Sequence, residues 1–197
     1  PCENGMADIY PCDGFDLYTH FPLSAVGGGD NGNDCWGWVD EESGREYVLY
    51  GRSNGTSFVE ITDPLAPVFI ATLPTASTPS LWRDIKVIGD YAYIVSEASQ
   101  HGMQIVDLTQ LLELSGFPFN ITATHHYGGF GNAHNIAVCA ETNYAYGVGT
   151  NSFNGGLHIV DVSDPTNPTI AGSYDEFYTH DAQPVIYNGL DEDYQGK

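Results

Sequence analysis

The sequence predicts an all-β chain, a β-propeller of four-stranded blades, and three observations predict it. Three glycines, Gly55, Gly102 and Gly156, each open an alternating apolar run: "GTSFVEITDP", "GMQIVDLTQ" and "GLHIVDVSDP". Alternation with a period of two marks a half-buried strand. Two further strand-like runs joined by a tight turn precede each glycine, so a unit of about four strands recurs at the length of one blade. Across 197 residues, 42% hydrophobic and 13% aromatic content supply the core of one large domain, while 23 Gly and 11 Pro supply turns.

Residues 1–33 read as an N-terminal segment. Cys2 and Cys12 bracket "CENGMADIYPC", where a disulfide would pin an otherwise loose start. An opening on Pro without Met reads as a processed or trimmed start. The loop "GGGDNGND" at 27–34 gathers Asp30, Asn31, Asn33 and Asp34 among glycines. Several oxygen donors on a flexible backbone suit calcium, although the spacing departs from the EF-hand template. A plain Gly/Asn/Asp turn reads equally well.

The first blade is expected at 34–74. "EESG" turns its first two strands, and Asp63-Pro64 ends the third because Pro cannot donate to a ladder. The second blade spans 82–127, with a Gly89-Asp90 turn inside "WRDIKVIGDYAYIVSE". Its "DLTQLLELSG", 107–116, reads as a helical turn where the other units carry Asp-Pro. The third spans 133–175, turning at "AETN"; Leu157, Ile159 and Val162 mark the apolar face of its third strand. "THDAQPVIYNG", from 179, reads as the first strand of another blade. One blade cannot bury both of its faces, and three blades do not close a ring. The chain is therefore expected to be an incomplete ring, roughly the N-terminal half of a longer propeller. The remaining half would come from the same gene product or another chain.

Stacking the units brings "DCW", "WRD", "AHN" and "THD" into register at the start of each first strand, the strand that lines a propeller channel. Asp34, Asp84, His134, Asn135, His180 and Asp181 mix imidazole with carboxylate, a donor set for a divalent cation. Arg83 among them points instead to a carboxylate partner or an anionic group. The competing reading is that polar strand starts hydrogen-bond neighbouring blades. His125 and His126, being adjacent, face opposite sides of a strand. "YGGFG" lacks the lysine and helix of a phosphate loop. There is no GxSxG elbow, and "SEASQHG" reads as a loop between strands.

Lys+Arg number 5 against 26 Asp+Glu, a formal charge of −21. That excludes nucleic acid and anionic membrane surfaces as partners and favours divalent cations or basic partners. No run reaches the length of a membrane span, so no membrane insertion is expected in this segment. Sequons at Asn54 ("NGT") and Asn120 ("NIT"), together with the cysteines, agree with a secreted or cell-surface, extracellular location. Cys35 and Cys139 either pair with each other as a second bridge or take partners outside the chain.

"LHIVDVSDPTNPTIAG" and "MQIVDLT" resemble the LVIVD repeat. The ordered series "PCENGMADIYPC", "WGW", "GTSFVEITDP", "WRDIKV", "IVSEASQHGMQIVDLT", "GNAHNIAV" and "THDAQPVIYNG" resembles the choice-of-anchor B family of secreted β-propellers over nearly the whole chain. The resemblance implies a longer, secreted or surface-anchored propeller with no well-established activity; Cys35 and Cys139 depart from the family's pattern. The expected function is a binding or scaffold module of adhesion or extracellular-matrix type, holding Ca2+ or another divalent cation and taking protein or glycan ligands. The alternative is a metal-dependent extracellular hydrolase or lyase using the His/Asp ring, with His134 or His180 as ligand or base.

Overall fold

Each glycine-led unit becomes one sheet in the computed structural model, which describes residues 1–114 and 118–196. A small hairpin comes first, β1 (Met6–Ala7) and β2 (Tyr10–Pro11), tied by the Cys2–Cys12 disulfide. The first large sheet is a meander of β3 (Gly32–Val39), β4 (Glu46–Arg52), β5 (Gly55–Glu60) and β6 (Val68–Pro74). The second holds β7 (Arg83–Ile88), β8 (Tyr91–Ser96) and β9 (Met103–Asp107). A short 3-10 helix, Leu108–Glu113, and β10 (Phe119–Asn120) then intervene before β11 (His125–Tyr127) completes that sheet. The third is β12 (Asn135–Cys139), β13 (Tyr144–Val148), β14 (Leu157–Asp161) and β15 (Thr169–Tyr174). Pairing within these meanders is antiparallel throughout.

Local chemistry explains the strand ends. Asp63 and Asp164 accept from the backbone N–H of Leu65 and Thr166, each at 3.0 Å, turning the chain at the Asp-Pro steps. The three repeat glycines share one cause. A Cβ on Gly55, Gly102 or Gly156 would lie 2.3, 2.5 or 2.0 Å from the carbonyl oxygen of Leu73, Tyr127 or Tyr174, in the outer strand of its own sheet. Only glycine lets that strand approach so closely.

β10 was not expected. It pairs in parallel with β6, Phe119 opposite Ala71, and gives the first sheet a fifth strand. The insertion thus crosses back from the second sheet to the first. Leu108, Leu111 and Ile121 are buried in the core between those two sheets. The helical turn expected within 107–116 is present at 108–113; residues 115 and 116 lie outside the described residues.

Two hydrophobic clusters fill the spaces between sheets. Ile85, Ala92, Ile94 and Val106 face the first sheet, whereas Tyr93, Val95, Met103 and Ile105 face the third. All eight are at most 1% exposed, so the middle sheet is buried on both faces. Complete burial of one such side chain contributes about 1.5–3 kcal/mol. The end sheets are more open on their outward faces, where Val39 is 51% exposed and Leu157 and Ile159 are half-buried, although Val59 there is only 7% exposed.

Three sequence expectations need correction. In β14 the inward face is His158 and Val160, continued by Val162, while Leu157 and Ile159 point outward and are half-buried. The strand is apolar on both faces, so alternation alone could not say which one meets the middle sheet. Residues 179–190 form no strand, because they have no ladder partner among the described residues. Thr179 N–H instead donates to Gly155 O at 2.9 Å. Finally, Cys35 and Cys139 form no second bridge. Both are free thiols, one exposed on β3 and the other buried on β12, with the middle sheet between their strands.

No helix among the described residues is long and apolar enough to cross a membrane.

Candidate functional site

The inner strands β3, β7 and β12 lie side by side, and their polar starts join the sheets. Asp34 Oδ2 accepts from the backbone N–H of Ile85 at 2.9 Å, and Asp84 Oδ2 accepts from that of Ile136 at 2.8 Å. Asn33 Oδ1 accepts from Arg83 N–H at 2.9 Å. Side chains at the start of each inner strand therefore cap amides of the next; Ile85 N–H is shared with Asp84 Oδ1 at 2.9 Å, whereas Asp84 is the acceptor found for the buried Ile136 N–H. Asn135 holds the matching place in the third sheet and donates from Nδ2 to His180 O at 3.3 Å.

These starts line a single cleft of about 480 Å³, walled by Asn33, Asp34, Trp82, Arg83, Asp84, Lys86, His134, Asn135, His180 and Asp181. All four motifs aligned from sequence meet there. The Lys86 ammonium lies 2.5 Å from Asp84 Oδ1, 3.8 Å from Asp34 Oδ2 and 4.7 Å from the centre of the Trp36 ring. Burial, followed by the hydrogen bond and like charge of Asp84, pushes the Asp34 carboxyl up to about 6; Lys86 and Ile85 N–H act against this.

On the other wall, Glu97 Oε1 meets His134 Nδ1 at 2.5 Å. His134 packs against His180, ring centres 4.1 Å apart, and against Trp82 at 6.2 Å. Glu97 fixes the imidazole through Nδ1, and Nε2 has no hydrogen-bond partner among the described residues.

Two guanidinium groups, Arg83 in the cleft wall and Arg52 on β4, are buried and have no carboxylate partner among the described residues. Arg83, 1% exposed, donates to Arg52 O, Thr75 Oγ1 and His101 Nε2 at 3.0, 2.9 and 2.9 Å. Burial, then the like charge of Arg52, lowers its pKa to about 10. His101 donates from Nδ1 to Gly102 O at 3.0 Å, and burial followed by the Arg83 charge lowers its pKa to about 4. Arg52 Nη1 donates to Gly27 O, Gly28 O and Asn54 Oδ1 at 2.6, 3.0 and 2.6 Å.

Both places expected to hold a metal thus contain a side-chain cation. The carbonyls of the glycine loop surround Arg52, and the carboxyl pair of Asp34 and Asp84 surrounds Lys86. Asp30 and Asn31 are exposed and do not line the cleft; their backbone N–H and C=O engage Ser53. Among the described residues, no group of three or more His, Cys, Asp or Glu is placed to hold a metal ion. The donors present fit internal ammonium and guanidinium groups.

Sequence reasoning missed Lys86 and Arg52, and it read Glu97 and His101, within "SEASQHG", only as part of a loop between strands. A signal existed for Glu97 and His101: a loop between second and third strands lies at the same end of a meander as the start of the first strand. No signal marked His158, buried between Tyr127 Oη at 2.8 Å and Ser152 Oγ at 2.9 Å. That contact depends on how two sheets stack. The sequons also differ. Asn54 is half-buried and holds Arg52, whereas Asn120 is exposed on β10.

No curated protein and no solved structure matches the chain. Residues 82–110 and 130–176 match the model of the LVIVD repeat family, and these two stretches are β7–β9 of the middle sheet and the whole of the third sheet.

Proposed function

We propose that the chain is three consecutive blades of a β-propeller, acting outside the cell as a binding or scaffold module whose ligand enters the inner-strand cleft. The architectural part is supported by two-sided burial of the middle sheet beside end sheets whose outward faces carry partly exposed apolar residues such as Val39, Leu157 and Ile159. Further blades, from the same polypeptide or another, would cover those faces, as the choice-of-anchor B resemblance implies. One observation carries the binding reading. Asp34 and Asp84 are engaged in joining sheets, while His180, Asp181 and Trp82 remain exposed on the same cleft. The disulfide, the acidic surface and exposed Asn120 support an extracellular location.

The test is retention of the purified chain on the outer surface of the cells that produce it. A double variant, His134→Ala with Asp181→Ala, is expected to lose about tenfold or more in retention at an unchanged unfolding midpoint. Equal retention would overturn use of the cleft.

The Glu97–His134 pair on the cleft wall facing Asp34 favours a second reading, acid–base catalysis with His134 as base and Asp34 as acid. Mass spectrometry of the recovered ligand separates the two. An unchanged ligand supports binding; conversion abolished by His134→Gln supports the enzyme.

A further inference from the structure

The cleft's donors and acceptors narrow the class of ligand, an inference that rests on the binding reading above. It carries both signs of charge. An anionic ligand would meet Asp34, Asp84 and Asp181, whereas a cationic one would meet the Lys86 ammonium and the Arg83 guanidinium buried in the cleft wall. Either would approach a like charge in a partly dry site. A hydroxyl has no such conflict, because it donates and accepts at once. Carboxylate oxygens on Asp181 can accept hydrogen bonds from hydroxyls, Nε2 of His134 can accept while Glu97 holds Nδ1–H, and the His180 imidazole can serve in either role. Trp82, 45% exposed at the rim, offers a broad apolar ring with His134 beside it. The ring carbons of a sugar carry an apolar C–H face that stacks on such a surface. The volume, about 480 Å³, falls in the range of small-molecule sites.

We propose that the cleft binds a neutral carbohydrate, one sugar ring lying on Trp82 with its hydroxyls shared among Asp181, His134 and His180. Nothing in this assignment needs a metal.

Tryptophan fluorescence and calorimetry with named probes test it. The neutral probes are maltotetraose, cellotetraose, laminaritetraose, mannotetraose and xylotetraose. Tetralysine and tetragalacturonate are the charged controls, and each probe is titrated to about 10 mM at low and high salt. The expected result is saturable, salt-insensitive binding of at least one neutral sugar. That binding should weaken about tenfold or more in both Trp82→Ala and Asp181→Asn. Both side chains are exposed, so circular dichroism should report folded variants. Three results would overturn the proposal: no neutral sugar binds, only a charged probe binds and salt abolishes it, or sugar binding survives both substitutions. If the sugars fail while cell-surface retention still depends on His134 and Asp181, the binding module stands and the carbohydrate assignment falls.

Discussion

Asp34→Asn should stabilise the protein at neutral pH, although it removes a charge from what looks like an ion pair. Asp34 shares the cleft with Asp84, and its side chain is 30% exposed. Its carboxyl is held near 6 instead of 3.8, chiefly by burial and then by Asp84. A carboxyl raised in the fold favours the protonated form, so above pH 6 the folded state bears a charge that it disfavours. Stability from this group rises as pH falls from about 6 toward 3.8 and levels off below. The ceiling is about 3 kcal/mol at pH 8. Solvent screening of a partly exposed group reduces this to about 1–2 kcal/mol. Asparagine keeps an oxygen for Ile85 N–H, presents N–H groups to Asp84, and loses only the 3.8 Å Lys86 contact. The third sheet already carries an amide, Asn135, at the matching place. For a chain of this size the gain corresponds to a rise of about 4 °C in unfolding midpoint. Calorimetry and urea unfolding at pH 8 and pH 4.5 would measure it. The variant should be the more stable at pH 8, with the gap closing by pH 4.5. A less stable variant at pH 8, or a gap unchanged by pH, would refute the argument.

His101 acts in the opposite direction. Its folded pKa, about 4, lies below the usual 6.5, so stability from the neutral ring is complete above 6.5 and lost as pH falls toward 4. In the Asp34→Asn background, His101→Gln should flatten that loss, worth up to about 3 kcal/mol at pH 4; an unaltered slope between pH 6.5 and 4 counts against it. Of the two free thiols, Cys35 should react at once with a thiol reagent and buried Cys139 only on unfolding, followed by absorbance with and without denaturant. Equal rates in the native protein would contradict their placement. In a glycosylating secretory host, Asn120→Gln should shift gel mobility while Asn54→Gln should not, since Asn54 is engaged by Arg52. A shift from Asn54 alone would reverse that reading.

The meanders were legible because their causes are local. Alternation places β4, β5 and β14, Asp-Pro steps stop strands, and Gly55, Gly102 and Gly156 mark the close approach of outer strands. Alignment of these units also brought Asp34, Asp84, His134, Asn135, His180 and Asp181 to one end, where a single cleft collects them. What they do there was not legible. The Lys86–Asp84 contact is local, two residues apart on one face of β7, but whether Asp34 faces a free ion or that internal ammonium depends on the stacking of β3 on β7. Arg52 likewise reaches the carbonyls of a glycine loop more than twenty residues earlier in the chain. The parallel β10 escaped because two residues carry too little pattern to reveal a partner in another sheet.

The account holds that side chains on one inner strand cap amides on the next. Amide hydrogen exchange at Ile136, followed by NMR in the native protein and in Asp84→Ala, tests this most directly. Removing the carboxylate leaves a buried N–H unpaired at about 1–3 kcal/mol, so exchange at Ile136 should accelerate about tenfold or more, beyond any change at Ala145 within the third sheet. Ile136 exchanging at the same rate in both proteins, or no faster relative to Ala145, would contradict it.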